Sequence, residues 1–320
     1  MIISPLIVDS VEIITLVDNV IEVARNKLHD NVVPLYQWVS TKDSSPNHIF
    51  AGHGLSTLIR TKSGDRTFEI LYDTGPSGDI LLHNVRAMGL NLSSTDAIVI
   101  SHGHWDHIGG LTAILAEIGH PRTPVYLHPR MFVKRRIATK TEQGERVREL
   151  PSVCSISDIK EAGGNPIVTT EPALIAGSTV LRSGEIPRQT EYEKGFLNHQ
   201  AFVDNEWIDD SEIIDDNCLI MRTKRGLVII TGCAHSGIVN SVYEAIRLTG
   251  VNSVHAILGG FHLGGEHNES RIASTIRDLQ AINASMIIPC HCTGATAQRL
   301  MEKAFPYAYV ISSVGNMYRF

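Results

Sequence analysis

The chain has 320 residues, of which 43% are hydrophobic and 19% charged, and its formal net charge is −6. Such a composition is typical of a globular protein with a substantial core, and the acidic balance gives no argument for nucleic acid or an anionic membrane as the main partner. No apolar run approaches the roughly 18 residues of a membrane span. Five scattered cysteines indicate reduced thiols, and the opening segment is a poor signal peptide, so we expect a cytoplasmic protein.

The first half of the chain predicts alternating strands and helices. Short runs rich in β-branched residues predict strands, and apolar residues at helical spacing predict helices. Residues 19–50 give no clear pattern. The predicted elements are strands at 11–17, 54–59, 67–72, 97–100 and 125–128, and helices at 79–88 and from Gly109 to about residue 118.

The second half repeats this order of elements. Its predicted strand pair, helix, strand, helix and strand follow one another as they do between residues 54 and 128, which is a real internal repeat. Two such units predict an α/β (α+β) fold, a four-layer αββα sandwich of two pseudo-symmetric halves, with two sheets face to face and helices outside. The matching elements lie at residues 219–224, 228–232, 238–248, 255–262, 269–282 and 286–291.

The densest chemical motif follows the strand that begins at Ala97. His102, His104, Asp106 and His107 fall within six residues. In extended backbone, residues i and i+2 share a face, so His102 and His104 would bind one cation together, while Asp106 and His107 would point to a second. Imidazole and carboxylate suit zinc, and manganese and iron also accept this set.

Further donors follow strands of the second half, next to glycine or other small residues that let the backbone approach a ligand. In a pseudo-symmetric sandwich the corresponding strand ends meet at one edge, so we expect these donors to converge on the His102 loop. His262 is either a ligand or a group that contacts substrate. Cys290 and Cys292 are expected to face away from the site and pack in the core. The candidates are Cys233, His235, His262 and His291.

Three other residues have weaker signals. His53 lies near the first strand pair and is expected to line the pocket. Arg188, in Ser-Gly-Glu-Ile-Pro-Arg, suits a phosphate or carboxylate of the substrate, although a solvated surface turn accounts for it equally well. Asp73 is expected to brace the metal-binding loop rather than to bind metal.

The charged and proline-interrupted interval from about residue 130 to 216 breaks the repeat. We interpret it as an insertion of strands and loops that caps the site, within a single domain covering residues 1–320.

The segment His102-Gly-His-Trp-Asp-His107 resembles the signature of the metallo-β-lactamase superfamily, and this resemblance implies the same αββα sandwich. Several further segments resemble the archaeal and bacterial group related to 7,8-dihydropterin-6-methyl-4-(β-D-ribofuranosyl)-aminobenzene-5′-phosphate synthase. The superfamily usually has a bridging aspartate near Cys233, so this cysteine is either a thiolate ligand or an inert buried thiol. The segments are Leu-Val-Asp-Asn, Gly-His-Gly-Leu-Ser, Leu-Tyr-Asp-Thr-Gly, Ser-Gly-Glu-Ile-Pro-Arg, Thr-Gly-Cys-Ala-His-Ser-Gly-Ile-Val-Asn, Gly-Gly-Phe-His-Leu and Cys-His-Cys-Thr-Gly.

The leading functional hypothesis is a dinuclear metal-dependent hydrolase of a small, phosphate-containing molecule. His102, His104 and His235 would hold one ion and Asp106, His107 and His291 the other, with Asp106 also handling a proton. The alternative is a synthase that joins a dihydropterin to an aminobenzene ribotide and releases pyrophosphate. A redox protein is a weaker hypothesis, because flavodiiron proteins of similar fold usually carry glutamate where this chain has His104. A metal sensor is also weaker, because the ligand loop leaves an open side. The sequence is compatible with a homo-oligomer but does not define the oligomeric state.

Overall fold

The computed structural model describes residues 2–22, 29–39 and 48–320. Within these ranges the chain forms two large sheets and one small sheet. The strands are β1 (Ser10–Val17), β2 (Val32–Val33), β3 (Ser56–Ser63), β4 (Arg66–Tyr72), β5 (Ala97–Val99), β6 (Thr123–Leu127), β7 (Lys134–Thr141), β8 (Gly144–Glu149), β9 (Gly164–Val168), β10 (Ala173–Ile175), β11 (Val180–Arg182), β12 (His199–Val203), β13 (Glu206–Asp209), β14 (Cys218–Thr223), β15 (Gly226–Thr231), β16 (Val254–Gly260), β17 (Met286–Cys290) and β18 (Met317–Arg319).

Helices connect the parallel strands and cover the outer faces of the sheets. The longest of those described has 14 residues, and none is both long and apolar enough to cross a membrane. The helices are α1 (Leu35–Trp38), α2 (Gly78–Ala87), α3 (Trp105–Ile108), α4 (Leu111–Ile118), α5 (Ile156–Glu161), α6 (Ile238–Thr249), α7 (Glu269–Ile282) and α8 (Ala295–Ala304).

The two large sheets share one plan. The first has the order β2-β18-β1-β3-β4-β5-β6-β9, and the second has the order β10-β11-β14-β15-β16-β17. In the first, β3 and β4 are antiparallel and β4, β5 and β6 are parallel; in the second, β14 and β15 are antiparallel and β15, β16 and β17 are parallel. The predicted repeat and its two pseudo-symmetric halves are therefore confirmed.

Three apolar clusters define four layers. Val99 of the first sheet and Leu258 of the second belong to one buried cluster between the sheets. A second cluster joins the outer face of the first sheet to helices through residues such as Ile114, and a third does the same for the second sheet through residues such as Val242. Because each sheet buries both faces, its parallel strands are almost continuously apolar. The predicted αββα sandwich is confirmed.

The interval from 130 to 216 differs from the expected single insertion. Strand β9 extends the first sheet beside β6, while β10 and β11 extend the second beside β14. Pro166 lies in β9, where it is tolerated because β9 is an edge strand. The remaining strands form the antiparallel sheet β13-β12-β7-β8, which we call the cap sheet. The boundaries of the predicted insertion therefore need correction, because part of it completes the sandwich.

Candidate metal centre

The candidate donors lie where parallel strands end. The loop of His102 follows β5, and the segments of Cys233, His262 and His291 follow β15, β16 and β17. Parallel neighbours end at the same edge of a sheet, so the three second-half segments are brought together by topology alone. Gly232 lets the two halves meet, because a Cβ there would lie 2.1 Å from Oγ of Ser101.

The backbone turns sharply at these strand ends. Asp73, Ala234, His262 and His291 have positive φ angles of 59°, 52°, 45° and 48°. Residues other than glycine rarely adopt this conformation, which costs on the order of 1–3 kcal/mol and is concentrated at functional sites. The surrounding packing therefore holds His262 and His291 in orientations that an unconstrained chain would not choose.

One donor group, the imidazole cluster, consists of His102, His104 and His235. One nitrogen from each lies within 4.8 Å of the others, and His102 Nε2 is 2.9 Å from His104 Nδ1. Burial first, and the neighbouring imidazoles second, lower the pKa of all three histidines, so they are neutral near pH 7. Both ring nitrogens of His235 are buried without a hydrogen-bond partner among the described residues. Neutral converging imidazoles with unused lone pairs fit a divalent cation.

The second group, the mixed cluster, consists of Asp106, His107, Cys233 and His291. Each offers one donor atom within 4.8 Å of the others. His107 Nε2 lies 3.2 Å from both Cys233 Sγ and His291 Nε2, and Asp106 Oδ2 lies 3.3 Å from His291 Nε2. Burial alone would raise the pKa of Asp106, but His107 and His291 hold it well below its ordinary value, so the carboxylate is ionised.

Asp73 supports the mixed cluster from behind. Its Oδ2 lies 2.6 Å from His107 Nδ1, and its carboxylate also accepts hydrogen bonds from the backbone N–H and the hydroxyl of Ser101. Burial opposes a charge on His107, but Asp73 and Asp106 outweigh it and raise the pKa of His107 to about 9. A carboxylate behind a candidate ligand fixes its ring and increases its basicity.

His291 has its own support from the loop that follows β1. Its Nδ1 is 3.1 Å from Asn19 Oδ1, and its backbone N–H donates to Asp18 Oδ1 at 3.0 Å. Nε2 therefore points to the mixed cluster. Sequence patterns predicted no supporting role for Asp18 and Asn19, which directly follow the first predicted strand and begin the interval without a clear pattern.

Cys233 lies between the two donor groups. Its Sγ also lies within 4.8 Å of nitrogens of His235 and His262. Burial raises the pKa of its thiol, whereas a coordinated metal deprotonates a thiol outright. The choice between a thiolate ligand and an inert thiol therefore depends on the ion.

A cavity of about 660 Å³ opens above both clusters. Its volume is in the range of small-molecule sites. Candidate donors form part of its lining, and one side of its wall belongs to the cap sheet and the segment that follows it. The lining includes His104, Asp106, Cys233, His235, His262 and His291, together with Trp105, Ile137, Arg148, Leu150, Pro151 and Phe196.

The other predicted residues have different placements. His53 lines the cavity, and its Nε2 lies 3.5 Å from Asp106 Oδ2. Arg188 is not among the lining residues and donates to the backbone carbonyl of Glu212. Cys290 is buried, but Cys292 lines the cavity, so the expectation that Cys292 packs in the core is wrong. Strand alternation ends at Cys290, because the chain turns at His291.

Two further residues near the clusters were not predicted from the sequence. His199, at the start of β12, has its Nε2 3.0 Å from His104 Nε2. The ring of Phe196 stacks against His235 with a centroid distance of 5.8 Å. Both lie in the interval interpreted as a cap, where neither strand alternation nor a ligand motif distinguishes them.

Comparisons with known proteins agree with this architecture. The family model of the metallo-β-lactamase superfamily matches residues 49–190. The 7,8-dihydropterin-6-methyl-4-(β-D-ribofuranosyl)-aminobenzene-5′-phosphate synthase of Methanocaldococcus jannaschii is 32% identical over 269 residues, which cover 84% of this chain and 90% of that protein. The chain belongs to the metallo-β-lactamase superfamily, in the group related to that synthase.

More distant relatives share parts of the chain or its fold. The anti-Pycsar protein Apyc1 of a Paenibacillus species is 26% identical over 200 residues, which cover 60% of this chain and 70% of that protein. A solved structure described as a metal-dependent hydrolase of the β-lactamase superfamily has a TM-score of 0.71 at 22% identity, covering 97% of this chain and 98% of the other. This second likeness shows the fold alone.

Proposed function

We propose that this protein is an enzyme that holds two divalent metal ions, with zinc as the first choice, and hydrolyses a small molecule that carries phosphate. The observation that carries the proposal is the pair of donor clusters, assembled from both halves of the chain at the floor of one cavity. Superfamily membership supports metal binding, and the donor chemistry of His, Asp and Cys supports zinc over calcium or magnesium.

The ligand assignment follows the two clusters. His102, His104 and His235 would hold one ion, and the residues of the mixed cluster would hold the other. Cys233 lies within reach of both groups, so its thiolate would replace the aspartate that is usual in the superfamily. Two bound ions would supply Lewis acidity toward phosphate oxygens and lower the pKa of water in the cavity.

The chain's own residues would handle the proton and orient the substrate. Asp106 is ionised and lies beside His53, so its carboxylate is placed to take a proton after attack and pass it toward the open side of the cavity. The ring of His262 lies 4.2 Å from that of His235 at the cavity floor, where it would contact the substrate. Trp105 and Phe196 would pack against an organic ring of the substrate.

A synthase is the second candidate, and the 32% identity to the Methanocaldococcus jannaschii synthase named above favours it. In that reaction the aminobenzene ribotide would take the place of water as nucleophile, and the ions would bind the departing diphosphate. Both reactions would use the same donors. The two reactions differ in the nucleophile, which is water in hydrolysis and the aminobenzene ribotide in synthesis. The metal ligands do not distinguish them.

Product analysis separates the two reactions. The metal-loaded protein is incubated in ¹⁸O-water with a panel of phosphodiesters, and separately with a dihydropterin diphosphate with and without the aminobenzene ribotide. Hydrolysis predicts ¹⁸O in a cleaved product without an acceptor, whereas synthesis predicts a joined product that requires the acceptor. The absence of any metal-dependent product across the panel would contradict both.

A further inference from the structure

We propose that His199 is a positioning residue that fixes the orientation of His104 and ties the cap sheet to the imidazole cluster. The proposal rests on the proposed metal binding at His102, His104 and His235. His199 comes from β12, 95 positions further along the chain than His104, and its side chain is fully buried.

The ring of His104 has two distinct sides. Its Nδ1 lies 2.9 Å from His102 Nε2 and faces the space shared with His235. Its Nε2 points the other way, toward His199 Nε2 at 3.0 Å. If Nδ1 gives its lone pair to a cation, the proton of the neutral ring must be on Nε2, which then donates to His199.

This assignment fixes the proton of His199 as well. Because its Nε2 accepts from His104, its own proton must be on Nδ1, which lies 3.3 Å from Asp210 Oδ2 in a close electrostatic contact rather than a well-aligned hydrogen bond. Asp210 is held in turn by Arg130 at 3.0 Å and by Arg135 at 3.1 Å. The chain of contacts thus runs from a candidate ligand to a carboxylate that two guanidinium groups keep in place.

Arg135 connects these contacts back to the segment that contains His104. Its Nη2 donates to Asp215 Oδ1 at 2.6 Å, and Asp215 Oδ2 accepts the backbone N–H of Gly103 at 2.7 Å. Gly103 separates His102 from His104, and a Cβ at this position would lie 2.8 Å from Arg135 Nη1. His199 therefore contacts the His-Gly-His segment through the side chain of His104, and Asp215 contacts it through the backbone N–H of Gly103.

This closed set of contacts couples the cap sheet to the imidazole cluster. Arg135 belongs to β7 and His199 to β12, which pair with each other in the cap sheet. A cation that orders His104 would therefore also order the cap sheet, and displacement of the cap sheet would loosen His104. The cap sheet is thus a structural part of the metal centre as well as a wall of the cavity.

The ring of His199 stacks on Phe196 with a centroid distance of 5.3 Å. The test compares His199→Phe, which keeps an aromatic ring there and removes both nitrogens, with His199→Gln, whose side-chain oxygen can still accept from His104. Cobalt(II) binding is measured by visible spectroscopy and by competition with a chelator. We expect His199→Phe to weaken one of two bound equivalents by about 10–100-fold, and His199→Gln to recover most of the loss. His255→Phe is the matched control, since His255 is buried at the opposite end of β16 from His262.

Two further measurements complete the test. Asp210→Asn leaves His199 in place and should weaken the same equivalent by up to about tenfold. Metal loading should slow amide exchange in β7 and β12 of the unaltered protein, and less so in Asp210→Asn. Unchanged affinity in both His199→Phe and Asp210→Asn would overturn the positioning role while leaving the proposed function intact. Failure of the unaltered protein to bind cobalt would overturn the proposed function itself.

Discussion

The two donor clusters lie side by side but are built differently. The imidazole cluster consists of three neutral rings, whereas the mixed cluster contains an ionised carboxylate, a thiol and two imidazoles. Their supports also differ: the imidazole cluster contacts the cap sheet through His199, and the mixed cluster contacts Asp73 and the loop of Asn19.

This difference in donor chemistry suggests different roles for the two clusters. An ion held by the neutral imidazoles of His102, His104 and His235 would keep more of its charge, and would therefore be the stronger Lewis acid of the two. An ion in the mixed cluster would be partly neutralised by the carboxylate of Asp106, which would also be placed to accept a proton. The comparison predicts that perturbations of the two clusters have separable effects.

The largest effect is expected from removing one donor of either cluster. His102→Ala and Asp106→Ala should each reduce metal-dependent turnover by about 10³-fold or more, because one loses a ligand and the other loses a ligand and a proton acceptor. Asp79→Ala, at an exposed carboxylate in the first turn of α2, serves as the control. Circular dichroism should show a retained fold, and full activity in both variants would rule out the assignment.

The second-largest effect is expected in the pH dependence of metal binding, which should differ between the two clusters. In the metal-free protein the pKa of His107 is raised to about 9, so its protonated form contributes stability that is present below about pH 6.5 and lost as the pH rises through 9. A metal must displace that proton. Affinity at the mixed cluster should therefore fall by at least about tenfold per pH unit below 9, and more steeply where the thiol of Cys233 must also lose its proton.

The imidazole cluster provides the internal reference for that titration. The pKa values of His102, His104 and His235 are lowered by burial, so no proton competes between pH 9 and 7. Isothermal titration with zinc at several pH values should give one equivalent with strong pH dependence and one without it. Identical dependence for both equivalents would contradict the comparison.

A smaller effect is expected from replacing the thiol of Cys233 in the mixed cluster. Cys233→Asp should keep two ions but shift preference by about tenfold from cadmium toward manganese, because carboxylate oxygen is a harder ligand than thiolate sulfur. Competition between the two metals, read by elemental analysis, measures the shift. Cys290→Ser is the control at a buried cysteine, and an unchanged preference in Cys233→Asp would identify Cys233 as a bystander.

The smallest effects belong to the cavity rim. His53→Ala should raise KM by about two- to fivefold, since the ring lines the cavity but is 60% exposed. Arg188→Ala should leave KM within about twofold, because its guanidinium donates to a backbone carbonyl away from the cavity. Steady-state kinetics on the best substrate would measure both, and a large rise in KM for Arg188→Ala would restore its predicted role in substrate binding.

Periodicity and the internal repeat were sufficient to predict the sandwich and the convergence of its strand ends. The His-x-His-x-Asp-His spacing was sufficient to predict two groups of donors. Alternation failed at Cys292, because β17 ends before it. His199 and Asn19 could not be predicted, since each reaches the centre only through the folding of a segment without a readable pattern. Their roles depend on tertiary packing, which sequence spacing does not encode.

The central claim is that donors from both halves of the chain surround a pair of cations. Anomalous X-ray diffraction at the absorption edge of the bound metal tests it most directly, using crystals of protein purified with zinc. We predict two peaks about 3.5–4 Å apart, one within bonding distance of His102, His104 and His235 and the other beside Asp106, His107 and His291. Absence of ions from both positions, or binding only at other places on the surface, would contradict the account.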